Sequence, residues 1–223
     1  MIRTDSLAHT IDALNEAIFF DRPLSDQDKK QAADFILGRQ YPSGPHAGLF
    51  APTDKDFAEG VFLFTGERLH THLGRRNVLS AEAARAILLL ELPVPERDIV
   101  LEKLQRKLLG SCFANDLCVI GECAHSGVGF MRYLAASELI DTRKRLDAHI
   151  RLISQHRDNR GRWKRFPFHY TLLALSEIDQ PSALAELRYA APALERSIKR
   201  QTGEEDRFTL RRQHLLERIL AKF

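Results

Sequence analysis

The sequence has little cysteine and tryptophan and no long apolar run. Its 223 residues include three cysteines and one tryptophan. The longest aliphatic stretch, residues 86–90, is far shorter than the roughly 20 residues that cross a bilayer. The first residues also lack the apolar core of a signal peptide. We therefore expect a cytoplasmic protein with reduced thiols and no membrane span.

The sequence also lacks a strong excess of either charge. Its 33 basic residues nearly match its 30 acidic residues, for a net charge of +3. This balance argues against a nucleic-acid partner. A chain of this length buries about 70% of its unfolded surface, so it needs no disulfide or metal to fold. The phosphate-loop, dinucleotide-glycine and Gly-x-Ser-x-Gly patterns are missing, which excludes the enzyme classes that those patterns mark.

Helical periodicity dominates the sequence. Apolar residues share single helical faces in many segments, including Leu7, Ile11, Leu14 and Ile18. Ser25, Thr53 and Ser80 are typical helix caps, and Pro192 predicts a break or a kink. Period-two alternation is missing, so we expect no sheet. The sequence predicts one all-α domain over residues 1–223.

A turn pattern recurs between the predicted helices. Gln40 precedes Gly48-Leu49-Phe50, and Gln155 precedes Gly161-Arg162-Trp163. The glutamine can satisfy backbone groups left open at a helix end, and the aromatic residue can fill the gap between neighbouring hairpins. The spacing indicates a helical hairpin of about 45 residues that is repeated and stacked.

This pattern resembles the QW repeat of the squalene cyclases and protein prenyltransferase β subunits, most clearly at Gln155, Gly161 and Trp163. Residues 168–176 are similar to an inner helix of that superfamily, and the resemblance covers about residues 30–208. It implies an α/α toroid, or an open arc, of four to five hairpins. It also implies a central cavity for a small apolar or thiol substrate. The prenyltransferases work with a second subunit.

The densest group of chemically active side chains lies in the middle of the chain. It comprises Cys112, Asp116, Cys118, Glu122, Cys123 and His125. Thiolate and imidazole groups are the ligands that zinc prefers, and zinc lowers the pKa of a bound thiol or water. The alternative is that these cysteines are small apolar residues of the core or a loop.

The resemblance implies a ligand set for this zinc. Protein prenyltransferases hold zinc with Asp-x-Cys at one inner-helix start and with a histidine at a later one. Alignment of the helix starts places Cys123 and His125 at the first position and Tyr170, next to His169, at the second. We therefore predict a zinc site formed by Cys118, Cys123, His125 and His169.

Two further groups are candidates for lining the cavity. Asp54 and Asp56 are similar to part of the Asp-x-Asp-Asp acid of terpene cyclases, although a helix start also favours acidic residues. Trp163, Phe168 and Tyr170 are candidates for contacting an apolar ligand, and the alternative is ordinary core packing.

Two functions follow from these predictions. The first is a zinc-dependent protein of the prenyltransferase or terpene-cyclase type that acts on a small molecule in a central cavity. The second is a non-catalytic helical-repeat module that binds a peptide or a protein partner. A closed ring with a dry aromatic cavity would favour the first, and a concave, charged surface without a deep apolar pocket would favour the second.

Overall fold

The computed structural model describes residues 4–92, 97–139, 141–199 and 206–223. These residues form eleven helices and one short antiparallel hairpin. The helices are α1 (Leu7–Phe19), α2 (Asp26–Leu37), α3 (Asp54–Glu59), α4 (His72–Leu89), α5 (Arg97–Leu109), α6 (Cys112–Asn115), α7 (Cys123–Ala135), α8 (Thr142–Gln155), α9 (Phe168–Ser176), α10 (Pro181–Lys199) and α11 (Arg207–Leu220). The strands are β1 (Val61–Phe62) and β2 (Arg68–Leu69). The all-α prediction is confirmed, apart from this hairpin.

Several helix starts and buried faces agree with the sequence. The Ser25 hydroxyl accepts the N–H of Asp28, and Thr53 and Asp56 form a reciprocal capping box. Leu7, Ile11 and Leu14 of the predicted face of α1 are buried, whereas Ile18 is half-buried. Helices α5, α7 and α8 also bury apolar faces, which include Leu101, Leu104, Leu108, Val128, Met131, Leu146 and Ile150. These faces join one apolar core that extends from Leu7 to Ile219.

Three local predictions are corrected. Helix α4 begins at His72, capped by Thr71, so Ser80 lies inside the helix, where its buried hydroxyl accepts the N–H of Phe50. Helix α10 continues through Pro192, so the predicted break does not occur, and a kink stays the alternative. The apolar periodicity predicts a helix over residues 126–140, but α7 begins at Cys123 and ends at Ala135.

The prediction of no strand is wrong for the segment after α3. Val61 pairs with Leu69, and Phe62 pairs with Arg68. The hairpin forms because Gly60 has a φ of +83°, which ends α3 and redirects the chain. The sequence also predicts that one helix ends at Pro93, that the next begins at Pro95 and that another ends at about Ile140. These three residues lie outside the described part of the chain.

The longer helices pack in succession. Helix α1 packs against α4, α4 against α7, and α7 against α9. Helix α5 packs against α4, α8 against α7, and α10 against α8, α9 and α11. Helix α11 meets α1 through Arg211, whose guanidinium donates to Asp12 at 2.7 Å and also contacts Glu16. No helix in the described part of the chain is long and apolar enough to cross a membrane.

A network of charged side chains lies where the four central helices meet. Arg132 on α7 donates to Glu82 on α4 at 2.5 Å, and to Glu177 at the end of α9 at 2.8 and 2.9 Å. The Tyr170 hydroxyl on α9 also donates to Glu82. Arg132, Glu82 and Tyr170 are at most 5% exposed. Each buried charge is thus paired, as burial in an apolar interior requires.

The network extends to the first helix. Arg85 on α4 donates to Asn15 on α1 at 2.8 Å and to Glu177 at 2.7 Å. Asn15 in turn donates to Glu82 at 3.0 Å. The network therefore links α1, α4, α7 and α9 with two guanidinium and two carboxylate groups. Burial alone would raise the pKa of Glu177, but Arg132 and Arg85 bring the pKa below its usual value.

A small cavity lies beside the central network. It is lined by Asn15, Glu82 and Tyr170, among others, and has a volume of about 20 Å³. That volume suits roughly one water molecule. A cavity of this size is too small for the apolar substrate that the resemblance implies.

Two turns carry the recurring pattern of the sequence. Gln40 forms an antiparallel bridge with Phe50, and Arg157 forms one with Trp163. Both Gly48 and Gly161 have a positive φ, and a Cβ at either position would lie 2.9 Å from an atom of the neighbouring helix. The Gln40 amide donates to the carbonyls of Gly48 and Val100, at 2.9 and 2.8 Å.

We expect Arg132→Met to lower the free energy of unfolding by about 3–5 kcal/mol, because it removes the guanidinium that is paired with Glu82 and leaves Glu177 with Arg85 alone as its cation. The control is Arg106→Met, which removes a solvent-exposed pair with Glu102 and should cost less than about 1 kcal/mol. Urea denaturation at neutral pH measures both values. Equal losses in the two variants would contradict a structural role for the buried network.

Candidate metal centre

Three thiols meet between α6 and α7. Cys112 is the first residue of α6, Cys118 lies in the following loop, and Cys123 is the first residue of α7. Their three Sγ atoms all lie within 4.8 Å of one another. The Sγ atoms of Cys112 and Cys123 are 3.7 Å apart.

The loop folds back on itself to bring the thiols together. Leu117 has a φ of +52° and Gly121 a φ of +54°, so the chain reverses on both sides of Cys118. The N–H of Cys118 donates to the carbonyl of Cys112 at 3.2 Å, which closes the first reversal. The convergence of the three side chains therefore depends on backbone geometry and not on regular spacing.

The spacing of the sulfur atoms fits a tetrahedral metal. Zinc–sulfur bonds of about 2.3 Å place two sulfur ligands about 3.8 Å apart. The 3.7 Å between Cys112 and Cys123 matches this value, and it is much longer than the roughly 2.05 Å of a disulfide bond. Three thiols arranged in this way supply one face of a tetrahedron and leave a fourth position open.

The thiols differ in environment. The Ile120 N–H donates to Cys118 and lowers the pKa of that thiol. Burial raises the pKa of Cys123 to about 12. Cys112 is exposed, so the group is open to solvent on that side. A bound cation would stabilise all three groups as thiolates.

Glu122, next to Cys123, is used to cap a helix. Its carboxylate accepts the N–H of Thr71 at 2.9 Å, and it also accepts from the Thr71 hydroxyl and the His70 N–H at the start of α4. Gly74 makes room for it, because a Cβ there would lie 2.1 Å from a carboxylate oxygen. These contacts lower the pKa of Glu122, although burial alone would raise it. Glu122 is thus held away from the thiols by α4.

The structure places the two predicted histidines outside the group of three thiols. Within the described residues, neither His125 nor His169 joins the three thiols in a group of ligand atoms within 4.8 Å. The Nδ1 atom of His125 is buried without a hydrogen-bond partner, and burial lowers the pKa of this imidazole. The Nδ1 atom of His169 is 3.9 Å from a Glu67 oxygen, which also accepts the N–H groups of His169 and Tyr170.

The two predicted acidic residues lie at the start of α3. Asp54 is exposed in the first turn, whereas Asp56 is 1% exposed. The Asp56 carboxylate accepts from the Ser6 hydroxyl and from the N–H groups of Leu7 and Ala8, at 2.5 to 3.2 Å. Asp56 therefore caps both α1 and α3, as the helix-start alternative predicted.

The predicted aromatic residues belong mainly to the core. Trp163 is buried and donates its indole N–H to Glu186 at 2.8 Å. Tyr170 is part of the central network. Phe168 is partly buried, and the guanidinium of Arg162 lies 4.5 Å from the centre of its ring.

Sequence reasoning left Cys112 out of the ligand set. The only available indication was that three cysteines fall within twelve residues. The second missed residue is Glu67, which caps α9 and lies beside His169. No local pattern identifies it, because its partners are about 100 positions away in the sequence.

Comparisons with known proteins give no assignment for this site. The chain matches no protein family model, no curated protein sequence and no solved structure.

His169 gives a prediction for the dependence of stability on pH. Burial lowers the pKa of His169 from the usual 6.5 to about 4. Arg212 and Arg162 also lower this pKa, whereas Glu67 raises it. Between these two values the unfolded chain binds a proton that the folded protein does not, so stability falls as the pH falls from about 6.5 to 4. Above that range the contribution is constant.

Between pH 6.5 and pH 4 we expect His169 to cost the wild type roughly 3 kcal/mol of unfolding free energy, and we expect His169→Gln to remove this loss. Urea denaturation of both proteins at intervals between pH 4 and pH 7.5 measures the difference. The same dependence of unfolding free energy on pH in wild type and variant would show that the imidazole is not held in its neutral form.

Proposed function

We propose that this chain binds one zinc ion through Cys112, Cys118 and Cys123 and presents its open fourth position to a thiol ligand. The observation that carries the proposal is the approach of three Sγ atoms to within 4.8 Å of one another, with one pair at 3.7 Å. Thiolates select soft or borderline metals such as zinc. A reducing compartment, such as the cytoplasm, would keep the thiols available.

The open position distinguishes this site from a closed structural site. Structural zinc sites have four protein ligands, whereas sites that bind and activate a ligand have three. The exposed side of the group, at Cys112, gives a ligand access from solvent. Zinc would lower the pKa of a bound thiol and hold the thiolate there. The ligand would bind at the surface of the molecule.

We further propose that the helices form a small α/α toroid related to the squalene cyclase and prenyltransferase superfamily. The succession of contacts from α1 through α4, α7 and α9 to α11 supports this arrangement, as does the return of α11 to α1 through Arg211 and Asp12. The two similar turns at Gly48 and Gly161 support a repeated unit.

The small volume of the cavity beside the central network favours a second candidate function. A cavity of about 20 Å³ cannot hold a peptide or a lipid chain, so a helical-repeat module would bind its partner on an outer surface. This non-catalytic function becomes the leading proposal if the protein holds no metal.

The metal content of purified protein tests the zinc proposal. We expect about one zinc per chain by mass spectrometry of untagged wild type, and loss of that zinc in Cys112→Ser, Cys118→Ser and Cys123→Ser. Asp116→Asn is the matched control, since this side chain lies in the same loop and should leave the zinc in place. Wild-type protein without metal would overturn the proposal.

His125→Ala separates this ligand set from the one predicted from sequence. Zinc retained in this variant agrees with three thiols and an open position. Zinc lost from His125→Ala, with a fold that is otherwise unchanged by circular dichroism, would restore the imidazole as a ligand.

Cobalt substitution tests whether the fourth position is open. Cobalt(II) bound to three thiolates gives a sulfur-to-metal charge-transfer band in the near ultraviolet. We expect that band to grow by about one third when N-acetylcysteine supplies a fourth thiolate. A band that does not respond, at a cobalt stoichiometry of about one, would show that the protein itself closes the site.

A further inference from the structure

A second site lies between the turn that follows α8 and the facing ends of α10 and α11. It is a cleft of about 740 Å³, which is within the usual size range of small-molecule sites. Four arginines dominate its lining, and one histidine and one aspartate accompany them. These residues are Arg160, Arg162, Arg196, Arg212, His169 and Asp158.

The four arginines have no acidic partner in the described part of the chain. Several other guanidinium groups are paired with carboxylates, as in Arg132 with Glu177 and Arg211 with Asp12. Within residues 4–92, 97–139, 141–199 and 206–223, no carboxylate oxygen forms an ion pair within 4.0 Å with any cleft arginine. The cleft therefore gathers positive charge in a chain whose net charge is only +3.

Three of these arginines are held in place by contacts that leave donor groups free. Arg196 donates one Nη2 bond to the carbonyl of Arg160 at 2.7 Å, and Arg212 donates its Nε to the carbonyl of Thr65 at 2.6 Å. Arg162 stacks on the ring of Phe168. A guanidinium has five N–H donors, so most of them stay available to a ligand.

The acidic and imidazole groups of the lining do not cancel this charge. One Asp158 oxygen accepts the N–H groups of Arg160 and Arg162, at 2.8 and 2.9 Å, and the Tyr189 hydroxyl at 3.2 Å. His169 has a lowered pKa and is neutral near pH 7, so it can offer a hydrogen bond without adding charge. Among the described residues that line the cleft, the four arginines thus face one carboxylate, and one oxygen of that carboxylate already accepts three hydrogen bonds.

We propose that this cleft binds a small molecule that carries several phosphate groups. Planar guanidinium groups pair with phosphate oxygens through two parallel hydrogen bonds. Four of them suit a ligand with several negative charges better than a single carboxylate, and the volume of the cleft suits a small molecule. The site contains none of the three thiols, so its occupation does not require the metal.

Calorimetric titration of the full-length chain with inorganic tripolyphosphate tests the proposal. We expect saturable binding at one site, weaker at higher salt and at least tenfold tighter than binding of orthophosphate. The double variant Arg160→Ala, Arg162→Ala should lose about tenfold or more in affinity, since each lost charge-assisted bond counts. The variant Arg160→Lys, Arg162→Lys keeps the charge, and its affinity should lie between those of wild type and the alanine variant.

The matched control removes the same charge elsewhere. Arg143 and Arg151 are exposed on α8, and Arg143→Ala, Arg151→Ala should keep the wild-type affinity to within about twofold. An equal loss in the control, or no binding by wild type, would overturn the proposal. So would binding to vesicles that contain phosphatidylserine without binding to free tripolyphosphate, since the ligand would then be a membrane surface. Thermal melts of all variants check that each one is folded.

Discussion

The salt bridges of Arg132 with Glu82 and Glu177 hold the centre of this fold together. They join helices α4, α7 and α9, and Arg85 and Asn15 extend the same network to α1. A buried charge is tolerated only when it is paired, so each helix must be placed in a register that completes the pairing. The network also occupies the space that a central ligand would need. The arrangement of the helices and the small size of the cavity beside the network therefore have one cause.

Three carboxylates have a second structural role at the starts of helices. Asp56 accepts the first N–H groups of α1, Glu67 accepts those of α9, and Glu122 accepts the N–H groups of His70 and Thr71 just before α4. In each case the acid comes from a different part of the chain and satisfies donors that a helix leaves open. Asp56 was predicted as a candidate for cavity chemistry, but its oxygens are fully used by this role. Acidic residues near a functional group are thus weak indicators of catalysis in this protein.

The parts of the fold that sequence predicted well are those fixed by local rules. The apolar faces of α1 and α5 and the caps at Ser25 and Thr53 depend on neighbours within one or two helical turns. The errors concern contacts that only tertiary structure creates. Ser80 was read as a cap because it precedes an apolar run, yet its hydroxyl serves the distant Phe50. Three cysteines within twelve residues indicate the thiol site, but the approach of Cys112 to the other two thiols depends on positive φ angles that the spacing does not reveal.

The hairpin of β1 and β2 lies between the two candidate sites. Glu122, beside Cys123, holds His70 and Thr71 just after β2, while Glu67 and the Thr65 carbonyl are held by α9 and by Arg212 of the arginine cleft. Residues 65–71 therefore connect the thiol site to the arginine cleft through hydrogen bonds. If an occupant of one site shifts this segment, it changes the affinity of the other site, and thermodynamic linkage makes the effect equal in both directions. The hairpin would then couple the two proposed binding equilibria.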